Sequence, residues 1–331
     1  MNAEVKNRLM LTVDVEAFPK RAEKDHVERL IWGHYPDGRG GIGEMMDIAD
    51  KYGVKLVMFL DYVEQFLWGE KILDVAREIH ARGHDLQLHS HPELLPESFW
   101  RERGLPRLKV AGDATDEQAN ALFEFLCESH VKATGTDPIA YRGGGYRYGA
   151  GTLRAMRAHG VRLNSSYNSA VENQPLRAGR LPQFKWNNGC VEIPISYASL
   201  TPMREKFYPL NFNQSNFSVI PMGTSLENFY REMGDAAIAV LVMHSWSFSK
   251  IQESGYYSSP LPEHIARFDK FLSDIVGKVQ IIDSRTALGL FDDYKLPLEG
   301  VASVDNMAAG ADAFTRTNCI ERMRSPSAYY L

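Results

Sequence analysis

Apolar and polar positions along the chain repeat four times as an amphipathic helix followed by a short apolar strand. In each unit apolar residues recur at helical spacing, a glycine ends the helix, and an apolar run follows at once. The four glycines and the runs that follow them are Gly53 with 54–60, Gly83 with 85–91, Gly160 with 161–163, and Gly277 with 279–282. Two further strands are predicted at 9–13 and 239–243. This alternation predicts an α/β protein with a parallel sheet, either doubly wound or closed into a barrel.

Length and composition narrow the class of protein. The chain has 331 residues, the size of one large α/β domain, and 44% of them are hydrophobic, enough for a sizeable core. A formal net charge of −5 leaves no basic surplus for a phosphate backbone, so nucleic acid is not an expected partner. Periodicity fades near residue 296. The sequence therefore predicts a catalytic domain over 1–295 and a C-terminal tail over 296–331.

Compartment is inferred from the cysteines and from the start of the chain. Cys127, Cys190 and Cys319 are too far apart for a C-x-x-C pair, so neither a disulfide framework nor a zinc knuckle is expected. The first apolar run, 9–13, is too short for a signal peptide or a membrane span. We expect a cytoplasmic protein with no membrane span.

Polar residues stand at the carboxyl ends of the predicted strands, where parallel α/β proteins collect their chemistry. Asp14 and Glu16 follow the first strand, and a strand's period of two places both carboxylates on one side. In the run 85–91, His89 and His91 share a face in the same way, and Glu93 follows two residues later. Two imidazoles on one face with acidic neighbours are typical of a metal site, whereas a lone histidine would indicate packing.

Two later strand ends carry further candidates. Arg142 is a permanent cation that can pair with a buried carboxylate, and it opens the glycine run 143–145, which leads to Tyr146. Consecutive glycines let backbone N–H groups approach an anion, although a flexible turn is the plainer interpretation. His244 follows the apolar run 239–243 and is a candidate general acid or base by position.

The stretch 38–43 has the glycine spacing of a dinucleotide-binding loop. It follows Tyr35, Pro36 and Asp37 rather than a strand, so the structural context of such a loop is missing. We expect no NAD or FAD.

Five short segments, taken in order, resemble the motifs of the polysaccharide deacetylase (NodB-homology) family of carbohydrate esterases. They are LTVDVE at 11–16, GHDLQLH at 83–89, YRGGGY at 141–146, VEIPI at 191–195 and LVMH at 241–244. The resemblance spans about residues 8–290 and implies an irregular (β/α)7-type barrel. It also implies that Asp14 is the general base, that Glu16 stands where some members place an acidic metal ligand, and that His89 is the first ligand histidine.

The chain departs from the family at two positions. The usual second ligand histidine lies four residues after the first, where this chain has Glu93, and the paired aspartates of the first motif are replaced by the spacing of Asp14 and Glu16. Three alternatives follow: His91 supplies the second imidazole, Glu93 coordinates through oxygen, or the site binds metal weakly. We favour His91 because its alignment with His89 follows from strand geometry alone.

The leading hypothesis is a metal-dependent N-deacetylase acting on an acetamido sugar, in a nucleotide-linked, lipid-linked or cell-surface polysaccharide pathway such as lipopolysaccharide biosynthesis. A divalent cation, zinc by preference, would be bound by Glu16, His89 and His91 and would activate water. Asp14, kept ionised by Arg142, would be the base, and His244 would protonate the leaving amine. Backbone N–H groups near Gly145 and Tyr146 would stabilise the oxyanion. Candidate sugar platforms, each with core packing as its alternative, are Trp32, Trp68, Trp186 and Trp246.

Two rival functions stay open. The same barrel can host an amidohydrolase of a small cyclic amide or ureide, which would have a closed polar pocket instead of an open aromatic groove. The departure at Glu93 also allows a catalytically silent carbohydrate-binding protein, which would hold metal weakly and below one ion per chain.

Overall fold

The structure, a computed structural model, describes residues 7–169, 174–176, 178–179, 181–201, 204–209, 222–293, 295, 298–307 and 314–316. The strands are β1 Arg8–Val15, β2 His34–Tyr35, β3 Gly38–Arg39, β4 Val57–Asp61, β5 Asp85–Ser90, β6 Ala140–Gly143, β7 Leu163–Asn164, β8 Phe184–Trp186, β9 Val191–Glu192, β10 Tyr197–Thr201, β11 Arg204–Pro209, β12 Ile238–His244, β13 Ser249–Ile251, β14 Tyr257–Pro260, β15 Gln280–Ile281, β16 Gly300–Ala302 and β17 Phe314–Arg316. The helices are α1 Ile42–Lys51, α2 Gln65–Trp68, α3 Glu70–Ala81, α4 Glu97–Arg101, α5 Asp116–Thr134, α6 Ala150–Ala158, α7 Met222–Met233, α8 Pro262–Ile275 and α9 Ser284–Asp292.

The central sheet is mostly parallel and follows the order predicted for alternating α/β units. Over the described residues, β12, β1, β4, β5, β6, β7 and β9 are seven successive neighbours, and every one of these pairings is parallel. β15 also pairs with β1 in parallel, and antiparallel pairing begins only where β8 joins β9. The prediction of an irregular (β/α)7-type barrel is confirmed.

Alternate residues of each strand belong to two separate cores. On β1, Leu9, Leu11 and Val13 pack under the surrounding helices, while Met10 packs inside the curved sheet. The inner core includes Val57 and Phe59 of β4 and Val240 and Val242 of β12, and α9 contributes Leu288 and Phe291. Every second side chain of a strand points to the same side of the sheet. The polar residues that continue the inward-facing positions at the carboxyl ends of the strands therefore also point to the inside of the curved sheet.

One long helix was not predicted. The four predicted units do not include α5, although Thr115 caps its first turn in a reciprocal pair with Gln118 and Gly135 ends it at φ 70°. The stretch 38–43 forms the second strand of a two-strand hairpin and the start of α1.

The predicted C-terminal tail contributes to the sheet where it is described. β16 pairs with β8 in parallel and with β17 in antiparallel fashion. Residues 296–297, 308–313 and 317–331 of the tail lie outside the described residues, and the boundary at 295 stays a prediction. Among the described residues, no helix combines the length and the apolar character that crossing a membrane requires.

Candidate metal centre and active site

Strand register brings the predicted site residues to one edge of the sheet. Asp14 on β1 lies opposite His244 on β12, and His89 on β5 lies between Asp61 on β4 and Arg142 on β6. All five are at or near the carboxyl ends of their strands, and they continue the inward-facing positions. This is the edge at which the sequence analysis placed Asp14, His89, Arg142 and His244, whereas Asp61 was not among its candidates.

Glu16 is the centre of a cluster of carboxylates and imidazoles. Its Oε1 lies 3.3 Å from Nε2 of His89 and 4.0 Å from Nε2 of His244, and its Oε2 lies 3.6 Å from Nε2 of His91. Ligand atoms of Glu16, His89 and His91 all lie within 4.8 Å of one another, and so do those of Asp14, Glu16 and His244. Glu16 thus belongs to two overlapping groups of metal-ligand type.

The first group fits a small divalent cation. Two ligand atoms that each lie about 2.1 Å from a tetrahedral ion are about 3.4 Å apart, close to the two carboxylate-to-imidazole distances made by Glu16. His89 is 1% exposed, yet both of its ring nitrogens lack a hydrogen bond to any described residue. A buried imidazole without hydrogen bonds is costly unless another partner satisfies it. These residues therefore fit a metal ion.

Glu93 lies behind His91 instead of beside the other ligand atoms. Its Oε1 is 3.0 Å from Nδ1 of His91, which leaves Nε2 of that ring directed at Glu16. A carboxylate on the far nitrogen of a ligand histidine fixes its tautomer and its orientation. The geometry therefore favours His91 over Glu93 as the second candidate ligand, beside His89. The ligand assignment itself stays a prediction.

Gly144 permits the position of the His91 ring. A Cβ on Gly144 would lie 2.6 Å from three atoms of that ring, closer than real Cβ atoms approach other atoms. The glycine run 143–145, which the sequence suggested for anion binding, thus also serves close packing of the strand ends. The next two residues of the turn, Gly145 and Tyr146, have φ near +60°, and their oxyanion role stays a prediction.

Charges in the cluster compensate one another. Burial opposes ionisation of Glu16, but the three neighbouring imidazoles outweigh it and lower the pKa of Glu16 to about 2. Burial also opposes the charged form of His91, yet the surrounding carboxylates, Glu16 foremost, raise the pKa of His91 to about 9. The pKa of His89 is raised as well, for the same reason. These shifts favour protonated rings at His89 and His91 beside an ionised Glu16.

Asp14 and Arg142 form a buried ion pair beside this cluster. Nη1 of Arg142 donates to Oδ1 of Asp14 at 2.7 Å and to Oγ1 of Thr12 at 2.9 Å. Nε of Arg142 donates to the carbonyl oxygen of Ser165 at 3.0 Å, and Nη2 donates to the Ser165 hydroxyl oxygen at 3.1 Å. The guanidinium carbon lies 4.4 Å from the centre of the Phe59 ring. Arg142 is therefore fixed on every side, as the sequence predicted for a partner of Asp14.

A second buried carboxylate, Glu192, supports Arg142 from behind. It accepts hydrogen bonds from the backbone N–H groups of Ser166 and Tyr167 and from the side chains of Asn164 and Trp186. Burial raises the pKa of Glu192 to about 7. The segment it holds includes Ser165, the acceptor for Arg142. Sequence reasoning placed Glu192 in a motif but gave it no role, because its partners come from distant parts of the chain.

His244 stands where the sequence placed a general acid or base, with a side chain that is 21% exposed. Burial is the largest influence on it and lowers its pKa, despite the opposing charges of Glu16 and Asp14. Its ring stacks on Trp246, with ring centres 5.2 Å apart. Of the four candidate platforms, Trp246 is therefore the one in contact with a site histidine, while Trp186 donates to Glu192. Both tryptophans are buried.

Two buried acids near the cluster were missed. Asp61 directly follows an apolar run, as Asp14 does, and accepts hydrogen bonds from the backbone N–H groups of Val63 and His91. Glu64 accepts from the backbone N–H of Ala17, next to Glu16. Burial raises the pKa of Asp61 to about 6 and raises that of Glu64 well above its usual range. Applying the strand-end rule to every predicted strand would have found Asp61, but nothing in the sequence distinguishes Glu64 from an exposed acid.

Comparison with known proteins supports the fold and limits what the fold implies. No known family model and no curated protein matches the sequence. Among solved structures, a "putative polysaccharide deacetylase" from Mycobacterium smegmatis matches with a TM-score of 0.53 and 14% identity, over 89% of this chain and 93% of that one. A 4-alpha-glucanotransferase from Thermococcus litoralis matches with a TM-score of 0.55 and 12% identity, over 90% of this chain but only 42% of that protein.

These matches define the class of architecture. The chain has the distorted barrel fold seen in polysaccharide deacetylase structures, so the resemblance drawn from the five motifs is confirmed at the level of fold. A glucanotransferase shares the fold, and fold alone does not determine function. The activity must be argued from the cluster around Glu16, which is a candidate metal site.

Proposed function

We propose that this protein is a metal-dependent hydrolase that removes N-acetyl groups from an acetamido sugar or a polysaccharide precursor. The observation that carries the proposal is the cluster of Glu16, His89 and His91 next to the Asp14–Arg142 pair, at the catalytic edge of a deacetylase-type barrel. A metal centre beside a fixed carboxylate is the equipment that amide hydrolysis by water requires. Hydride transfer would need a cofactor site of another kind.

Glu16, His89 and His91 would hold the cation, and Glu93 would orient His91 through Nδ1. We propose zinc because two imidazoles and a carboxylate are a donor set that zinc prefers. When bound there, such an ion supplies Lewis-acid polarisation to water and to the amide carbonyl.

Asp14 takes the proton of the attacking water in this proposal. Arg142 holds Oδ1 of Asp14 at 2.7 Å, so the carboxylate has one orientation and needs no rearrangement before it accepts the proton. His244, which lies opposite Asp14 on the neighbouring strand β12, returns a proton to the leaving amine. Burial lowers the pKa of His244 and favours its neutral form, so the proton that it passes to the amine is the one that Asp14 takes from the water.

The test is acetate release from a panel of acetamido sugars and sugar conjugates, with protein loaded with zinc, cobalt or nickel. We expect release with at least one compound, loss of release after chelation and recovery when metal returns. Asp14→Asn should keep its metal and lose two to four powers of ten in turnover, about the usual contribution of a positioned base. No release from any compound by metal-replete protein would contradict the proposal, and release of ammonia or ring opening from a cyclic amide would favour the rival amidohydrolase. We also propose a cytoplasmic location and a role in lipopolysaccharide biosynthesis.

A further inference from the structure

Two aromatic side chains connect the candidate metal centre to a single arginine. The ring of Phe18 meets the ring of His91 edge-on, with centres 4.8 Å apart, and Trp246 stacks on His244 at 5.2 Å. The guanidinium carbon of Arg21 lies 6.0 Å from the centre of the Phe18 ring and 5.5 Å from that of Trp246. Arg21 thus lies one aromatic ring away from each of the two site histidines.

The charge of Arg21 is held by aromatic rings and not by a carboxylate. Within the described parts of the chain, no carboxylate oxygen lies within 4.0 Å of its guanidinium, whereas Arg142 pairs with Asp14 and Arg162 pairs with Asp292. The Tyr257 ring packs 5.7 Å from Trp246, and its hydroxyl hydrogen-bonds to Arg21. Burial raises the pKa of Tyr257, and the cation of Arg21 opposes that effect. Contact with aromatic rings leaves the remaining N–H groups of a guanidinium available to an oxyanion.

Arg21 lies on the side from which the cluster is reached. The side chains of His244 and His91 are 21% and 12% exposed, while that of His89 is 1% exposed, so the cluster meets solvent past the first two rings. Phe18 and Trp246 contact those two rings. A substrate whose amide reached Glu16 would pass these two rings, with the half-buried Phe18 and Arg21 beside its path.

The distribution of charge favours an anion at Arg21 over one at the cluster. Asp14, Glu16 and Asp61 place carboxylates around the histidines, whose charges they compensate, and the cation of Arg142 is already used by Asp14. One ring further out, the guanidinium of Arg21 has no carboxylate partner among the described residues and would attract a negatively charged group. Charge-assisted, bidentate hydrogen bonds to carboxylate or phosphate are the contacts that arginine makes best.

From this arrangement we infer that the substrate carries an anionic group, a carboxylate or a phosphate, and that Arg21 binds it while the half-buried Phe18 contacts the sugar between that group and the acetamide. Arg21 is a specificity-determining residue in this inference. The inference rests on the proposed function, because it takes the acetamide to be the reacting group.

The experiment compares three matched compounds: a neutral 2-acetamido sugar, the corresponding uronic acid and the corresponding 1-phosphate. For the zinc-loaded wild type we expect kcat/KM to be at least ten-fold higher for one anionic compound than for the neutral sugar. Arg21→Gln should reduce that ratio at least ten-fold, Arg21→Lys should retain part of it, and the preference should shrink as salt is added. Arg285→Gln is the matched control, because Arg285 is exposed at the start of α9, near the amino ends of the strands, and the ratio should persist there.

Binding of the same three compounds to the zinc-loaded protein, measured by calorimetry, separates the inference from the proposed function. An anion preference in binding that Arg21→Gln removes supports the role of Arg21 even if no acetate is released, and the absence of release then contradicts only the deacetylase proposal. The uronic acid and the 1-phosphate identify which oxyanion is recognised. Equal rates and equal binding for neutral and anionic compounds, or an anion preference that survives Arg21→Gln, would overturn the inference.

Discussion

Arg142 donates a hydrogen bond from Nη1 to Oδ1 of Asp14 at 2.7 Å, although β4 and β5 lie between the strands that carry the two residues. The guanidinium crosses the inside of the curved sheet over the ring of Phe59. The Arg142 side chain is 0% exposed and that of Asp14 is 4% exposed. A buried charge that loses its partner is costly, so each residue of this pair depends on the other.

We therefore expect Arg142→Met to lower the free energy of unfolding by about 3–5 kcal/mol, because it leaves the Asp14 carboxylate buried and unpaired. Adding Asp14→Asn should recover part of the loss. Urea denaturation of the metal-free proteins measures both effects. Arg162→Met is the control, since the Arg162–Asp292 pair is at the surface and should contribute less than about 1 kcal/mol. Strictly additive costs for the two buried substitutions would contradict the pairing argument.

Substitutions of the candidate ligands should lower the metal content of the protein more than substitutions of neighbouring residues. His89→Ala and Glu16→Ala should each lose the metal and the activity together, because a site of three protein ligands falls to two. His91→Ala should weaken metal binding more than Glu93→Ala, whose loss should cost about 10- to 100-fold as the removal of an orienting partner.

Elemental analysis after dialysis against a weak chelator measures these effects. His159→Ala is the matched control, because His159 bonds to Asn120 at the surface and should retain full metal. If Glu93→Ala proved the more damaging of the pair, the ligand role would pass to Glu93.

Metal binding should release protons. Against the opposing effect of burial, the carboxylates around His91 raise its pKa to about 9, so this ring carries a proton at neutral pH and must lose it to bind a cation. The same kind of contact raises the pKa of His89. The affinity for zinc should therefore rise with pH from 7 and level off above about 9, where His91 is already neutral.

Calorimetric titrations with zinc at pH 7.5, in two buffers of different ionisation enthalpy, count the released protons. His91→Asn should release about one fewer than wild type. Heats that do not depend on the buffer, together with an affinity that is constant between pH 7 and 9, would rule out this linkage.

Much of the fold and part of the site followed from the period of the sequence. The period of two placed His89 and His91 on one face of their strand without any relative for comparison. The glycines that end the helices marked where the next strands begin, as at Asp85. The pattern did not reveal α5, because the buried side of this helix includes the polar Gln118, Ser129 and His130, and no apolar run follows Gly135 directly. The strand Gln280–Ile281 was predicted too long, as 279–282.

The remaining site residues depend on contacts between distant segments. Nothing local in the sequence shows that Glu64 is buried beside Ala17, or that Glu192 holds the segment that grips Arg142. The approach of Gly144 to the ring of His91 is likewise visible only in three dimensions, since β5 and β6 are far apart in the chain.

That approach makes Gly144 a sensitive position. Gly144→Ala would place a Cβ 2.6 Å from the ring of His91, so the ring or the turn must move. We expect the affinity for zinc to fall at least ten-fold with little change in helical content, measured by competition with a chromophoric chelator and by circular dichroism. Gly289→Ala, in α9 with open space around its Cβ, should leave the affinity unchanged. An unaltered affinity in Gly144→Ala would mean that the His91 ring does not need its present position to bind the ion.

The central claim is that Glu16, His89 and His91 form one metal centre, and anomalous diffraction at the zinc edge tests it most directly. For crystals of the zinc-loaded protein, the account predicts a single strong peak about 2 Å from the Glu16 carboxylate and from one ring nitrogen each of His89 and His91. It also predicts that Glu93 remains on Nδ1 of His91. A peak bound to Glu93 without His91, a peak held only by Asp14 and His244, or no peak in this cluster at saturating zinc would contradict the account.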